Sequence, residues 1–160
     1  MGGILRSNES YIFAPEIYNP LMAKAKKAPL RKGSKRKVKK VTDAGEELKN
    51  HVISGMQEKK AKEIVCIDLR NVKNAVADFF VVCHADSKTH VEAIADSVDD
   101  YVREHAGERP LHKEGMSNAE WILLDYMNVV AHVFRQEKRE FYGIERLWAD
   151  ADIEQIANNF

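Results

Sequence analysis

Cysteine is scarce in this chain of 160 residues, with Cys66 and Cys83 each inside an apolar run. Two thiols so placed give no disulfide framework and suit a reducing compartment. No stretch approaches the roughly 18 apolar residues of a membrane span. No apolar run with a cleavage site opens the chain, so no secretory signal is expected. Glycine and proline are sparse as well, at eight and four residues. No glycines cluster after an apolar run as in GxxxxGK[ST] or GxGxxG, which removes the usual phosphate-cradling loops. What is present is 44% hydrophobic and 31% charged, enough for one ordinary core.

The net charge of zero conceals an asymmetry. Residues 24–40 hold ten Lys/Arg and no acid, whereas residues 41–160 hold 14 Lys/Arg against 23 Asp/Glu, a net of −9. The chain reads as a basic extension, residues 1–40, ahead of an acidic domain, residues 41–160. Like charges repel and apolar residues are few in the extension, so it is expected to be mostly disordered. Residues 1–23 scatter Tyr11, Ile12, Phe13, Ile17 and Tyr18 around Pro15 and Pro20 without periodicity. Met22 opens the basic run and is a second candidate start, in which case residues 1–21 are no part of the protein. That segment, with Glu9, Glu16 and Arg6 as its charges, is a poor transit peptide.

In the domain, Thr42 is the expected helix N-cap, with Glu46 and Glu47 in the first turn where the dipole favours acids. Leu48, Val52 and Met56 recur at a spacing that predicts an amphipathic helix over 43–61. Residues 63–69 and 79–83 are short runs rich in Val, Ile and Phe, read as buried strands on either side of a turn. Thr89 with Glu92 matches a capping box. It opens a helix along Val91, Ile94, Val98, Tyr101 and Val102 that ends near Gly107. Residues 107–118 read as a loop, residues 120–126 and 129–134 as a hairpin turning at Met127-Asn128, and residues 137–148 as a last helix. The order α-β-β-α-β-β-α implies an α/β (α+β) fold: a single mixed sheet with helices packed on it.

Alternation divides the hairpin into two faces. Tyr126 opposite Val129, Leu124 opposite Ala131 and Ile122 opposite Val133 form a uniformly apolar core face. Asp125 opposite Val130, Leu123 opposite His132 and Trp121 opposite Phe134 form the other. Two readings of that second face stand. A helix covers it and Trp121 is core, or it binds a protein, since Trp anchors favour interface centres. Arg139 and Tyr142 follow the second strand and, at a spacing of three, share one side of the last helix. The candidate partner-binding set is therefore Trp121, Leu123, Asp125, His132, Phe134, Arg139 and Tyr142.

No catalytic set assembles. Asp68 and Asp125 each stand alone on their strands, with no Asp-x-Asp to hold magnesium. Both read as turn formers or caps. His84 and His90 fall in neither a CxxC nor an HExxH frame. His51, His105 and His112 read as surface residues, and His132 as a locally bonded residue of the hairpin. Cys83 and His84 are adjacent in a strand and point to opposite faces, which argues against a nucleophile pair. No catalytic residue, cofactor or metal is expected.

Six stretches, in order, carry a family resemblance: Ala61-Lys-Glu-Ile-Val-Cys-Ile-Asp-Leu69, Ala77-Asp-Phe-Phe-Val-Val-Cys83, Val91-Glu-Ala-Ile-Ala-Asp-Ser-Val98, Glu120-Trp-Ile-Leu-Leu-Asp-Tyr126, Val129-Val-Ala-His-Val-Phe134 and Arg139-Glu-Phe-Tyr-Gly-Ile-Glu-Arg-Leu-Trp148. With these the domain resembles the ribosomal silencing factor (Iojap) family over roughly residues 43–152. Met127-Asn128 departs from the family's usual glycine plus polar turn, and Gly143 stands where the family often has Asn. The resemblance implies a nucleotidyltransferase-like topology without catalytic residues. It also implies a partner, ribosomal protein number fourteen of the large ribosomal subunit. By the same resemblance, docking there is expected to block joining of the small subunit and to lower translation when nutrients are scarce. A body at −9 suits a basic partner, and the basic extension could touch rRNA phosphates. A homodimer in the absence of ribosomes is compatible with the aromatic face, and a cytoplasmic location is expected. Two other classes are weighed: an enzyme acting on nucleotides, against which the missing glycine-rich loop counts, and a ribosome-associated RNA-binding protein driven by residues 24–40.

Overall fold

The computed structural model describes residues 41–158 and 160, the side chains of residues 41–43 excepted. The expected basic, disordered extension over 1–40 lies outside the described residues. The domain begins with α1 (Val41–Glu58), which buries Leu48, Val52 and Met56 as their spacing requires. Thr42 lies inside this helix rather than ahead of it, and its side chain is outside the described residues. Strands β1 (Lys62–Asp68) and β2 (Phe79–Ala85) follow and pair antiparallel.

Helix α2 (Lys88–Ala106) is capped by Ser87, whose hydroxyl accepts from the His90 backbone N–H at 3.2 Å. The expected capping box at Thr89 and Glu92 is thus displaced by two residues. Ser87 wins because its backbone is extended, at φ −133 and ψ 156, as an N-cap must be. Gly107 ends the helix in the left-handed region at φ 67, its N–H bonding to the Arg103 carbonyl.

Four strands complete the sheet: β3 (His112–Glu114), β4 (Trp121–Asp125), β5 (Val129–Arg135) and β6 (Asp152–Gln155). The six strands run β3-β4-β5-β2-β1-β6 in one mixed sheet, with β2 and β5 parallel and the other neighbours antiparallel. The hairpin pairs as its alternation requires, from Trp121↔Phe134 to Asp125↔Val130. Strands β3 and β6 are absent from the expected order. Both are edges whose residues are almost wholly exposed, so no apolar alternation marks them. The expected continuous helix over 137–148 is two helices, α3 (Gln136–Tyr142) and α4 (Ile144–Leu147). Gly143 divides them at φ 51, returning its N–H to the Arg139 carbonyl.

One face of the sheet packs on α1 and α2. Ile64, Cys66, Val81, Cys83, Ile122, Leu124, Ala131 and Val133 meet the two helix stripes there in one core. The helices cross closely at Gly55, whose carbonyl accepts from the Ser97 hydroxyl at 2.8 Å. A Cβ at residue 55 would lie 2.7 Å from Val98 Cα and 3.1 Å from the Ser97 carbonyl oxygen. Those are backbone atoms and cannot swing aside. At Gly45, an added Cβ meets nothing nearer than Asp78 Oδ2 at 3.6 Å. Helix propensity favours Ala at both positions by up to ~1 kcal/mol, so only the close approach separates them. Gly55→Ala should lower the unfolding free energy by about 1–3 kcal/mol through overpacking. Gly45→Ala should be neutral or mildly stabilising. Urea unfolding of the two variants checks this, and equal effects would contradict the close crossing.

Candidate functional site

The other face of the sheet carries the expected partner-binding residues. Successive side chains alternate, so the strand positions facing away from α1 and α2 are Phe80, Val82 and His84 on β2, Trp121, Leu123 and Asp125 on β4, and Val130, His132 and Phe134 on β5. The parallel register sets Val82 beside His132 and His84 beside Phe134. A continuous aromatic layer results. The Trp121 and Phe134 rings stack with centroids 4.7 Å apart, and Tyr142 of α3 lies 5.0 Å from Trp121. Phe80 meets His132 edge-on at 4.7 Å and Trp148 at 5.7 Å and 89°.

Arg139 fastens α3 to this face. Its Nη1 donates to the Glu63 carbonyl at 2.6 Å and to His84 Nδ1 at 3.0 Å, while Nε and Nη2 reach Glu145 Oε1 at 2.8 and 2.6 Å. Glu63 stands at a break in the β1–β2 register, at φ 45, with no partner in that ladder. A guanidinium can only donate, so His84 must accept at Nδ1 and is held neutral. Burial, and then the positive charge of Arg139, hold the His84 pKa below the ordinary imidazole value. Arg139 and Tyr142 therefore do share one side of the last helix, and it is the sheet side.

The seven candidate residues come together, but not at the surface. Trp121, Leu123, His132 and Phe134 are 0–1% exposed, and Asp125 and Arg139 are also buried, which leaves Tyr142 half-buried. Asp125 accepts from the Met127 backbone N–H at 2.8 Å. Trp121 donates its indole N–H to His132 Nδ1 at 3.2 Å. That bond places the remaining imidazole hydrogen on Nε2, which has no hydrogen-bond partner among the described residues. Around the layer, Phe141 is 72% exposed, and half-buried Lys138 pairs with half-buried Glu120 at 3.3 Å. Phe141 had no sequence signal, since helical spacing from Tyr142 says only that the two point apart.

The arrangement offers little to a reacting molecule. The Cys83 thiol is fully enclosed and burial pushes its pKa up to about 12; burial raises Cys66 to about 11. Neither is poised as a thiolate nucleophile. Asp68 is spent on Arg70, accepting its backbone N–H at 3.0 Å and its guanidinium at 2.5 Å. Among the described residues, no three His, Cys, Asp or Glu side chains converge to hold a metal ion, and no helix is long and apolar enough to cross a membrane. The cleft beside Arg139, about 460 Å³, is lined by Glu63, Glu140 and Glu145 as well as His84 and Arg146, so it favours neither charge.

Comparison with known proteins bears on the same residues. Residues 42–159 match the family model described as ribosomal silencing factor during starvation. Ribosomal silencing factors of Halalkalibacterium halodurans and Bacillus subtilis are 34% and 36% identical; the matches cover 68% and 62% of this chain and 91% and 82% of those proteins. The chloroplastic protein Iojap of Zea mays is 31% identical over 58% of this chain and 42% of its own length. A crystal structure of a Chromobacterium violaceum protein superposes with a TM-score of 0.62 at 29% identity, covering 71% of this chain and 94% of that one.

His132 gives a pH test of the layer. Burial pushes its imidazole down to about 3 from an ordinary value of 6.5. The unfolded chain takes up this proton as pH falls through 6.5, while the folded protein does not until about pH 3. The stability from this group is thus fully present above pH 6.5 and is lost progressively below it. Urea unfolding between pH 7 and 4 should show a slope shallower in His132→Asn by up to one proton, ~1.4 kcal/mol per pH unit. An imidazole NMR titration with a His132 midpoint near 6.5 would contradict the burial.

Proposed function

The chain belongs to the ribosomal silencing factor family, and from that premise we propose that it binds the large ribosomal subunit and keeps the small subunit from joining. The family match over residues 42–159 carries this reading. The partner is ribosomal protein number fourteen of the large subunit, which the resemblance implies. The consequence is repression of translation in the cytoplasm by steric exclusion rather than by chemistry. The buried thiols and the committed Asp68 support a binding role over a catalytic one.

The surface we assign is the outer side of the β4–β5 hairpin with α3. Trp121, Leu123, His132 and Phe134 form its buried support, Arg139 fixes α3, and Tyr142 with Phe141 presents aromatic area to the partner. Rigid aromatic anchors lose little conformational freedom on binding, which suits them to interface centres. The domain's net charge of −9 steers it to a basic protein and away from bare RNA. Residues 24–40, with ten cations, add a salt-dependent contact to rRNA phosphates.

Sucrose-gradient sedimentation of purified subunits tests the proposal. The protein should travel with the large subunit and diminish the joined-ribosome peak. Tyr142→Ala should stay folded and bind more weakly by roughly 1–2 kcal/mol. Trp121→Ala should lose about 3–5 kcal/mol of stability instead. Removing residues 1–40 should weaken binding at low salt and leave it nearly unchanged at high salt. Sedimentation with the small subunit alone, or loss of all binding without the extension, would sink this reading in favour of an RNA-binding one.

A further inference from the structure

We infer that the β4–β5 turn is an apolar contact point for a protein of the large subunit, with Met127 as its anchor and Leu111 beside it. The inference rests on the proposed ribosome binding and adds a site to it. Met127 sits at φ 73, and Asn128 N–H returns to the Tyr126 carbonyl at 3.0 Å across it. That is a γ-turn of positive φ, a rare and strained form that an L side chain resists. Glycine would hold it without strain. The methionine gains little burial in exchange, since it is 63% exposed. Lys60, Glu63 and Asn74 also hold positive φ while exposed, but they are polar; Met127 alone of these sets a large apolar side chain in water, which an apolar partner would cover.

The surroundings favour an apolar partner. Leu111, 57% exposed, precedes β3, and extending the β3–β4 register sets it opposite Tyr126, next to the turn. Its backbone N–H donates to the Asp125 carbonyl at 2.7 Å. Two large apolar side chains thus stand out at one end of a sheet in an otherwise highly charged domain. The turn that carries Met127 is also fixed in place. Asp125 Oδ1 accepts the Met127 N–H at 2.8 Å, and the Asn128 carbonyl accepts from Asp78 and Phe79 at 2.8 and 3.0 Å. Binding therefore orders one flexible, polarisable side chain rather than a loop. The turn lies at the end of the same hairpin opposite Trp121 and Phe134, so it is a second contact point apart from α3. The domain's charge of −9 favours a basic protein with an apolar recess over an rRNA phosphate run.

The full-length protein and its Met127→Gly, Met127→Arg and Leu111→Ala variants decide the matter, by thermal unfolding and by binding to purified large subunits. Met127→Gly should raise Tm by about 2–5 °C as the turn relaxes. It should also raise the dissociation constant about tenfold, in high salt as in low, because the lost contact is apolar. Leu111→Ala should weaken binding several-fold with little change in Tm. Met127→Arg should weaken binding too. A Met127→Gly variant that melts lower removes the strain, and one that binds like the wild type removes the contact; either overturns the inference. Tighter binding by Met127→Arg would assign the turn to phosphate and overturn it as well. A wild-type protein that fails to bind the large subunit at all overturns the proposed function and the inference with it, a result distinct from wild-type binding with indifferent variants.

Discussion

The parallel pairing of β2 with β5 governs the rest of the structure. Seven residue pairs run from Phe79↔Val129 to Ala85↔Arg135, at the centre of the sheet. Parallel neighbours cannot be joined by a tight turn, so α2, β3 and β4 make the crossover between them. Both strands are buried on both faces, which requires cover on both. Helices α1 and α2 supply one layer, and the chain after β5 must turn back to help supply the other. Two imidazoles, His84 and His132, fall on that second face, and each can be buried only as a neutral, hydrogen-bonded ring. Arg139 serves the first and Trp121 the second.

From this follows how a seven-residue helix comes to present a defined surface. Alone, α3 is too short to persist in water. Arg139 reaches two strands and the start of α4 at once, and Tyr142 packs on Trp121. Gly143 allows the chain to bend so that Ile144 is also buried. The exposed Phe141 is consequently carried on a seated helix, not on a loop. The buried aromatic layer fixes the position of the exposed aromatic edge, which is the part proposed to make contact.

The helices, the central strands and the hairpin register were legible in the sequence because burial on one or both faces writes itself as periodicity. The pairs from Trp121↔Phe134 to Asp125↔Val130 followed from alternation and the two-residue turn alone. The two edge strands were not legible, since His112–Glu114 and Asp152–Gln155 are mostly exposed and owe their pairing to neighbours. Residues 137–148 read as one helix, and the break at Gly143, at φ 51, was not anticipated. Alternation put the strand residues of the candidate set on one face, and of the two readings left open for it, the structure shows the one in which that face is covered and Trp121 is core. Whether Trp121 is core or surface depends on how α3 and α4 return. The His84–Arg139 contact joins residues 55 apart in the chain, beyond the reach of any local pattern.

Amide hydrogen exchange of the protein with and without large subunits tests the central claim, that the fixed outer face is the docking face. New protection should appear in α3 and at the β4–β5 turn, leaving the exposed side of α1 and α2 unchanged. Protection confined to α1 and α2, with α3 exchanging as freely as before, would contradict it.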